Sequence, residues 1–226
     1  MQRPCPPPDP NPHPPSFAVP PGATDCHAHV FGPAGRYPYQ PNRAYTPPDL
    51  PLPQLRRMHR ALGIERLVLV QASVHGADIS AVLDAVASDP VNLRGVATMS
   101  EETTDRELTR MRDGGIRGIR VNLVDRGGMP FRSLAALAHA AERIRDHAMH
   151  IELLVHVESF PELRTLAKTI CVSMSVSEFM PTGTSVKVPS SLAYLTAPSS
   201  MLLKNSLARD FITRPTTGFL SAARTA

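Results

Sequence analysis

The chain has 226 residues, 42% of them apolar, with a formal net charge of +4. That length supports one large domain with a real core. The mild charge, without a dense Lys/Arg run, leaves no nucleic-acid footprint, and no apolar stretch is long enough to span a membrane.

Residues 1–22 hold ten prolines, and "PCPPPDPNPHPP" cannot form a helix or a central strand. This segment reads as a disordered or polyproline-like arm. A first strand is expected over about Ala23–Val30, then a long loop rich in Pro, Tyr and Arg. A helix follows around Gln54–Leu62, closed by Gly63. "ERLVLVQAS" reads as a second strand, "ADISAVLDAVASD" as a helix stopping before Pro90, and "LRGVATMS" as a third strand. "TTDRELTRMRDGG" predicts a helix with a capping box at Thr104 and Glu107, ending at Gly114-Gly115. "IRGIRVNLV" is a fourth strand, "SLAALAHAAERIRDHA" an amphipathic helix and "HIELLVHVE" a fifth strand. "PELRTLAKTI" opens another helix, with Pro161 in its first turn.

This β-α alternation argues for a parallel sheet with crossover helices. A (β/α) barrel and an open doubly wound sheet both fit. No G-x-G-x-x-G follows the first strand, which weakens a dinucleotide-binding reading. Parity supplies a first map of the faces. Leu67, Leu69, Gln71 and Ser73 share one, as do Gly118, Arg120 and Asn122, and His150, Glu152, Leu154 and His156. These sets carry polar groups toward the strand ends and are expected to face inward. Val68, Val70 and Ala72, with the apolar residues opposite on the other strands, are expected to pack on helices. Within "ATDCHAHVFGP", Asp25, His27 and His29 fall two apart, so one strand face would carry a carboxylate and two imidazoles.

"TDCHAHVFGP", "YPYQPNRAYTP", "GIERLVLVQASVHG", "LRGVA" and "GIRGIRVNL", in that order, resemble the amidohydrolase superfamily. Within it they are similar to the amidohydrolase-related branch that hydrolyses lactones such as 2-pyrone-4,6-dicarboxylate and sulfomuconolactone. The resemblance covers about residues 19–170. It implies a (β/α)8 barrel of the TIM type that hydrolyses a lactone or other cyclic ester of a small carboxylated molecule by water attack on a carbonyl. His27 and His29 match the strand-one pair and are the catalytic candidates. In many members that pair binds a divalent metal, zinc or manganese here, whose water becomes the nucleophile. In others it works without a metal by polarising the carbonyl. Two hydrogen-bonded core histidines are the plain alternative.

Arg120 and Arg126 match arginines that grip substrate carboxylates, where a guanidinium fork stays charged and binds bidentately. Tyr45 and Ser73 match hydroxyl-bearing pocket positions. His156, on the inward parity of the fifth run, is a further candidate ligand. Glu152 shares that face and needs a partner. His75 sits at the active-site end of the second strand. His59, His139 and His147 are expected on helix surfaces.

Residues 171–226 break the pattern. They carry two acidic residues, Glu178 and Asp210, against seventeen Ser plus Thr, and all nine histidines precede residue 157. The β-α phase is lost, and a reading-frame change near Ile170 is the expectation. The family's sixth-strand histidine motif and final-strand Asp base are not visible in this stretch. Residues 23–170 then form an incomplete barrel of about five βα units. A hydrolase and a non-catalytic remnant with a carboxylate pocket both stay open. An unpaired sheet edge invites homo-oligomerisation. Cys5, Cys26 and Cys171 are too scattered for a disulfide framework or zinc knuckle, and no secretory signal precedes the arm, so a cytoplasmic setting is expected.

Overall fold

The computed structural model describes residues 3–122, 134–154 and 193–195. Arg126, His156, the helix expected from Pro161 and both acidic residues of the tail lie outside them. The main sheet among the described residues is parallel and six-stranded: β1 (Thr24–Ala28), β2 (Arg66–Val70), β3 (Leu93–Ala97), β4 (Ile116–Asn122), β5 (His150–Leu154) and β6 (Ala193–Leu195). Between them run α1 (Leu52–Leu62), α2 (Ser80–Ser88), α3 (Asp105–Asp113) and α4 (Leu134–Arg145). The β6 segment comes from the stretch in which no strand was expected.

The strands pair in chain order, each with the next. A doubly wound sheet reverses its order at a switch point. Here every crossover steps the same way, and right-handed crossovers then put all helices on one face. The result is a curled half of a (β/α)8 barrel, which decides between the two architectures that the sequence allows. In such a fold the chemistry belongs at the C-terminal ends of the strands.

Local signals explain the helices. Gly63 closes α1 at φ 74°, in the left-handed region that glycine enters without penalty. Thr104 and Glu107 make the expected capping box: Thr104 Oγ1 accepts from the Glu107 N–H at 3.2 Å, and Glu107 Oε2 accepts from the Thr104 N–H at 2.7 Å. These bonds satisfy two donors that the helix itself leaves open.

The main core lies between sheet and helices. Leu67, Leu69, Leu93, Ala97, Ile119, Val121, Ile151 and Leu153 meet Val82 and Val86 of α2, Leu108 of α3 and Leu137 and Ile144 of α4. Burying one such side chain is worth about 1.5–3 kcal/mol. Val68, Val70 and Val96 form a separate cluster on the opposite, concave face. This corrects the parity assigned to β2. Leu67 and Leu69 pack on helices, and the valines point inward. Both faces of a parallel sheet are buried, so Leu-against-Val alternation carries no direction of its own. The polar Gln71 and Ser73 share the parity of the leucines, but the strand ends at Val70. On β4 and β5 the expected parity holds.

A second correction concerns β1. Asp25 pairs with Leu67, and Ala28 with Leu69, so three steps on β1 match two on β2. This bulge reverses the facing of the residues after it. Asp25 faces the helices with Leu67, whereas His27 and His29, flanking the core-packed Ala28, face inward. The three side chains do not share a face.

Near the start of the chain, Arg3–Pro4 pairs in parallel with Tyr45–Thr46. Among the described residues, no helix is long and apolar enough to cross a membrane.

Candidate active site

The inner face of β1 and the residue just past its end bring His27 and His29 together, their ring centroids 5.0 Å apart and their planes at 86°. Each ring has an oxygen near Nδ1. His29 Nδ1 lies 2.7 Å from the Val70 carbonyl oxygen at the end of β2. A carbonyl only accepts, so His29 carries its proton on Nδ1, and Nε2 of the neutral ring holds the lone pair. His27 Nδ1 lies 3.2 Å from Glu152 Oε1, on the inner face of β5. Glu152 is 5% exposed and stands in register with Arg120 of β4. Arg120 is half-buried and donates from Nη1 to the Gln71 carbonyl at 2.9 Å.

Charge states follow from this packing. Burial pulls the His29 pKa down to about 4, against the Val70 bond, and the Arg120 guanidinium adds to the fall. Burial and Arg120 lower His27 in the same direction, Asp25 opposing. Both shifts favour the neutral imidazoles. Burial lifts the Glu152 carboxyl to about 7, with Arg120 holding it back.

Neutral His29 has committed its only N–H to Val70. In that form its remaining nitrogen, Nε2, faces the site as an acceptor. An N–H given to a carbonyl is also how metal-ligating histidines are oriented. Among the described residues, however, no group of three His, Cys, Asp or Glu side chains is placed to hold a metal ion. Asp25 lies on the other face, and Glu152 is engaged at His27. The described residues thus do not make a zinc or manganese site, and no step below runs through a metal.

Behind β1, Asp25 ties the site to α1. Its Oδ2 accepts from His59 Nε2 at 2.9 Å, and its Oδ1 accepts from the His27 N–H at 3.0 Å. His59 is 0% exposed, not on the surface as expected. It shares an apolar stripe with Leu55 and Leu62, four residues on and then three, and that spacing was the readable signal. Burial raises the Asp25 pKa, but the bonds from His59 and His27 outweigh it, and the carboxyl sits below its ordinary value. His139 is exposed as expected, whereas His147 is half-buried in the turn after α4.

Beside the histidines, a cavity of about 780 Å³ opens over the ends of β2, β3 and β4. Gln71, Ser73, Thr98, Arg120 and Asn122 are among its lining. The imidazoles are not, and Arg120 links the two regions by lining the cavity while its charge acts on both rings. The structure thus brings Ser73 and Arg120 onto one cavity and His27 and His29 onto one edge beside it. Tyr45 is half-buried in the long loop, outside the cavity lining. His75 is buried against Tyr39, ring centroids 5.1 Å apart.

Comparison with known proteins agrees with this geometry. A 2-pyrone-4,6-dicarboxylate hydrolase of Comamonas testosteroni is 41% identical over 153 residues, covering 68% of this chain and 50% of that protein. A 4-sulfomuconolactone hydrolase of Rhizobium radiobacter is 45% identical over 105 residues, covering 46% of this chain and 35% of that protein. The chain spans half or less of the length of these curated relatives. Among solved structures, a "probable 2-pyrone-4,6-dicarboxylic acid hydrolase" of Acinetobacter baumannii with citric acid bound superposes with a TM-score of 0.55 at 26% identity, covering 63% of this chain and 54% of that one. The sequence model of the amidohydrolase family matches residues 24–211, running past Ile170 into the tail. The inward histidine pair, the half-barrel that carries it and this match together make the chain a member of the amidohydrolase family.

Proposed function

We propose that the chain hydrolyses a lactone or other cyclic ester of a small carboxylated molecule, of the 2-pyrone-4,6-dicarboxylate kind. The observation that carries this reading is Arg120. A guanidinium inside a barrel strand costs free energy unless it has work or a partner. Here it lines the cavity with Ser73, in register with Glu152 and close enough to both imidazoles to shift them. A positive fork beside two neutral imidazoles suits an anionic ring ester. The fork grips a carboxylate, and an imidazole nitrogen is available to the attacking water. The names of the relatives support the substrate class, and the citric acid in the Acinetobacter structure is itself a carboxylate-rich ligand.

In this reading Arg120 orients the substrate, Ser73 contributes a hydroxyl from the β2–α2 turn, and the inner walls restrict water. Arg126 and His156 are proposed as a second carboxylate grip and a further histidine of the site. Binding without turnover would be the behaviour of a non-catalytic carboxylate pocket. Calorimetric titration tests the recognition step. 2-pyrone-4,6-dicarboxylate should bind better than its neutral diester. Arg120→Met should cost about 2–4 kcal/mol of that binding, the loss of a buried charge-assisted contact. Equal binding of acid and ester, or an Arg120→Met chain that binds as well as the native one, would remove the basis of the proposal.

A further inference from the structure

Ser73 lines the cavity from a turn that lies past the end of β2, so its hydroxyl serves a ligand only while that turn is held in place. We propose that Gln40, in the long loop after β1, is a positioning residue that fixes the Ser73 turn, so that a carboxylated ring held by Arg120 also meets the Ser73 hydroxyl. This inference rests on the carboxylated-lactone reading above and deepens it.

Three observations carry it. The first is where Gln40 bonds. Its Nε2 donates to the Ser73 carbonyl at 2.6 Å, and its main-chain N–H donates to the Val74 carbonyl at 2.7 Å. A carbonyl only accepts, so the amide presents its nitrogen to Ser73 and its orientation is fixed. The second is the fit. Gly76 closes the turn at φ 58°, and a Cβ there would come within 3.0 Å of Gln40 Oε1. Glycine enters the left-handed region without penalty and also leaves room for the amide. The third is that Gln40 is itself anchored. Its carbonyl accepts from Arg43 Nη1 at 3.0 Å, and Arg43 Nε donates to Thr46 Oγ1 at 3.0 Å. Gln40 is half-buried and lines the cavity together with Ser73 and Arg120.

The turn is held from its other side as well. Gln71 Nε2 donates to the Gly76 carbonyl at 2.8 Å and to the Asp78 carbonyl at 3.0 Å, and the Gln71 carbonyl accepts from Arg120 Nη1 at 2.9 Å. Those bonds close the far end of the turn and tie its near end to the arginine. Between them, the Ser73 carbonyl accepts from the Gly76 N–H at 3.0 Å, a bond inside the turn, and from Gln40, the bond that ties it to another element. Losing the Gln40 amide would leave the turn closed on itself but free the Ser73 peptide to swing. The hydroxyl would then leave the position it shares with Arg120 on the cavity wall, while Arg120 and the sheet stayed as they are.

The test uses the full-length chain, and its first part needs no ligand. Amide hydrogen exchange in the native chain should show the Gln40 and Gly76 N–H groups exchanging well below the unfolded-chain rate. Gln40→Met, close in length but without a donor, should speed exchange at Gly76 about 3–10-fold, the worth of one neutral hydrogen bond. Calorimetry with 2-pyrone-4,6-dicarboxylate reads the consequence. Ser73→Ala and Gln40→Met should each weaken binding about 3–10-fold, and the double variant should bind no more weakly than Ser73→Ala alone, because both changes remove one contact. A Gln40 that served the fold alone, or touched the ligand itself, would give additive losses, and additivity overturns the proposal. So does a Gln40→Met chain with unchanged exchange at Gly76, or a Ser73→Ala chain that binds as the native one does. Unprotected Gln40 and Gly76 amides in the native chain overturn it without any variant having to fold. If exchange behaves as expected and the native chain binds no dicarboxylate, the hold on the turn stands and the carboxylated-lactone reading is what fails.

Discussion

Replacing His59 with Leu isolates the tie between α1 and β1. Leucine fills much of the imidazole's space, so little cavity term enters, and the change removes chiefly the 2.9 Å bond to Asp25 Oδ2. A hydrogen bond to a charged group is worth about 1.5–3 kcal/mol. The Asp25 side chain keeps 26% of its exposure and the bond from the His27 N–H, so water and backbone recover part of the loss. The cost should therefore be about 2 kcal/mol, or a fall in Tm of about 4–8 °C for a chain of this size. The pH dependence fixes the cause. Folding lowers the Asp25 pKa from its ordinary value near 3.8. A depressed carboxylate contributes stability that is fully present above the unfolded value and is lost as pH falls through the folded one. Urea unfolding should thus show a steady gap between native and His59→Leu chains from pH 7 to 5, closing below about pH 4. A gap below about 0.5 kcal/mol at pH 7, or one that widens toward pH 3, would refute the reasoning.

Two further outcomes follow from the packing and the donor set. A Cβ on Gly118 would come within 2.5 Å of the His150 ring, with Nε2 and Cε1 both in the way, whereas one on Gly35 meets nothing within 4 Å. Gly118→Ala should therefore cost about 1–3 kcal/mol by overpacking, and Gly35→Ala should leave the thermal melt within about 0.5 kcal/mol of native. Protein dialysed against a chelator should keep its lactone turnover, read by ring-opening absorbance, and loss of turnover restored by added zinc or manganese would make the imidazoles metal ligands after all.

The βα order, the capping box of α3 and the end of α1 at Gly63 were legible because each rests on a local rule: hydrophobic period, side-chain capping, left-handed backbone. So were the inward facing of Arg120 and Glu152, since β4 and β5 alternate polar with apolar residues. The facing of β2 was not, because Leu67 to Val70 are buried on both sides and their order carries no contrast. Asp25 was misplaced for a different reason. Nothing in "TDCHAH" marks an extra residue, and the bulge exists only relative to β2. The partners of Glu152 and His59 are set by strand and helix packing across separations of more than thirty residues, a distance that local spacing does not encode. The family resemblance supplied His27 and His29 as a pair but not the bond from His29 to the Val70 carbonyl or the approach of His27 to Glu152.

The most direct measurement is turnover itself: the full-length chain incubated with 2-pyrone-4,6-dicarboxylate and, separately, 4-sulfomuconolactone, with ring opening followed by absorbance and the product identified by mass. The proposed hydrolase function, with Arg120 orienting a carboxylate beside the His27 and His29 pair, predicts ring opening well above the uncatalysed rate, abolished in the His27→Ala chain. Ring opening no faster than in buffer for both lactones, from folded protein that still binds the dicarboxylate, would contradict the hydrolase account and leave a carboxylate-binding half-barrel in its place.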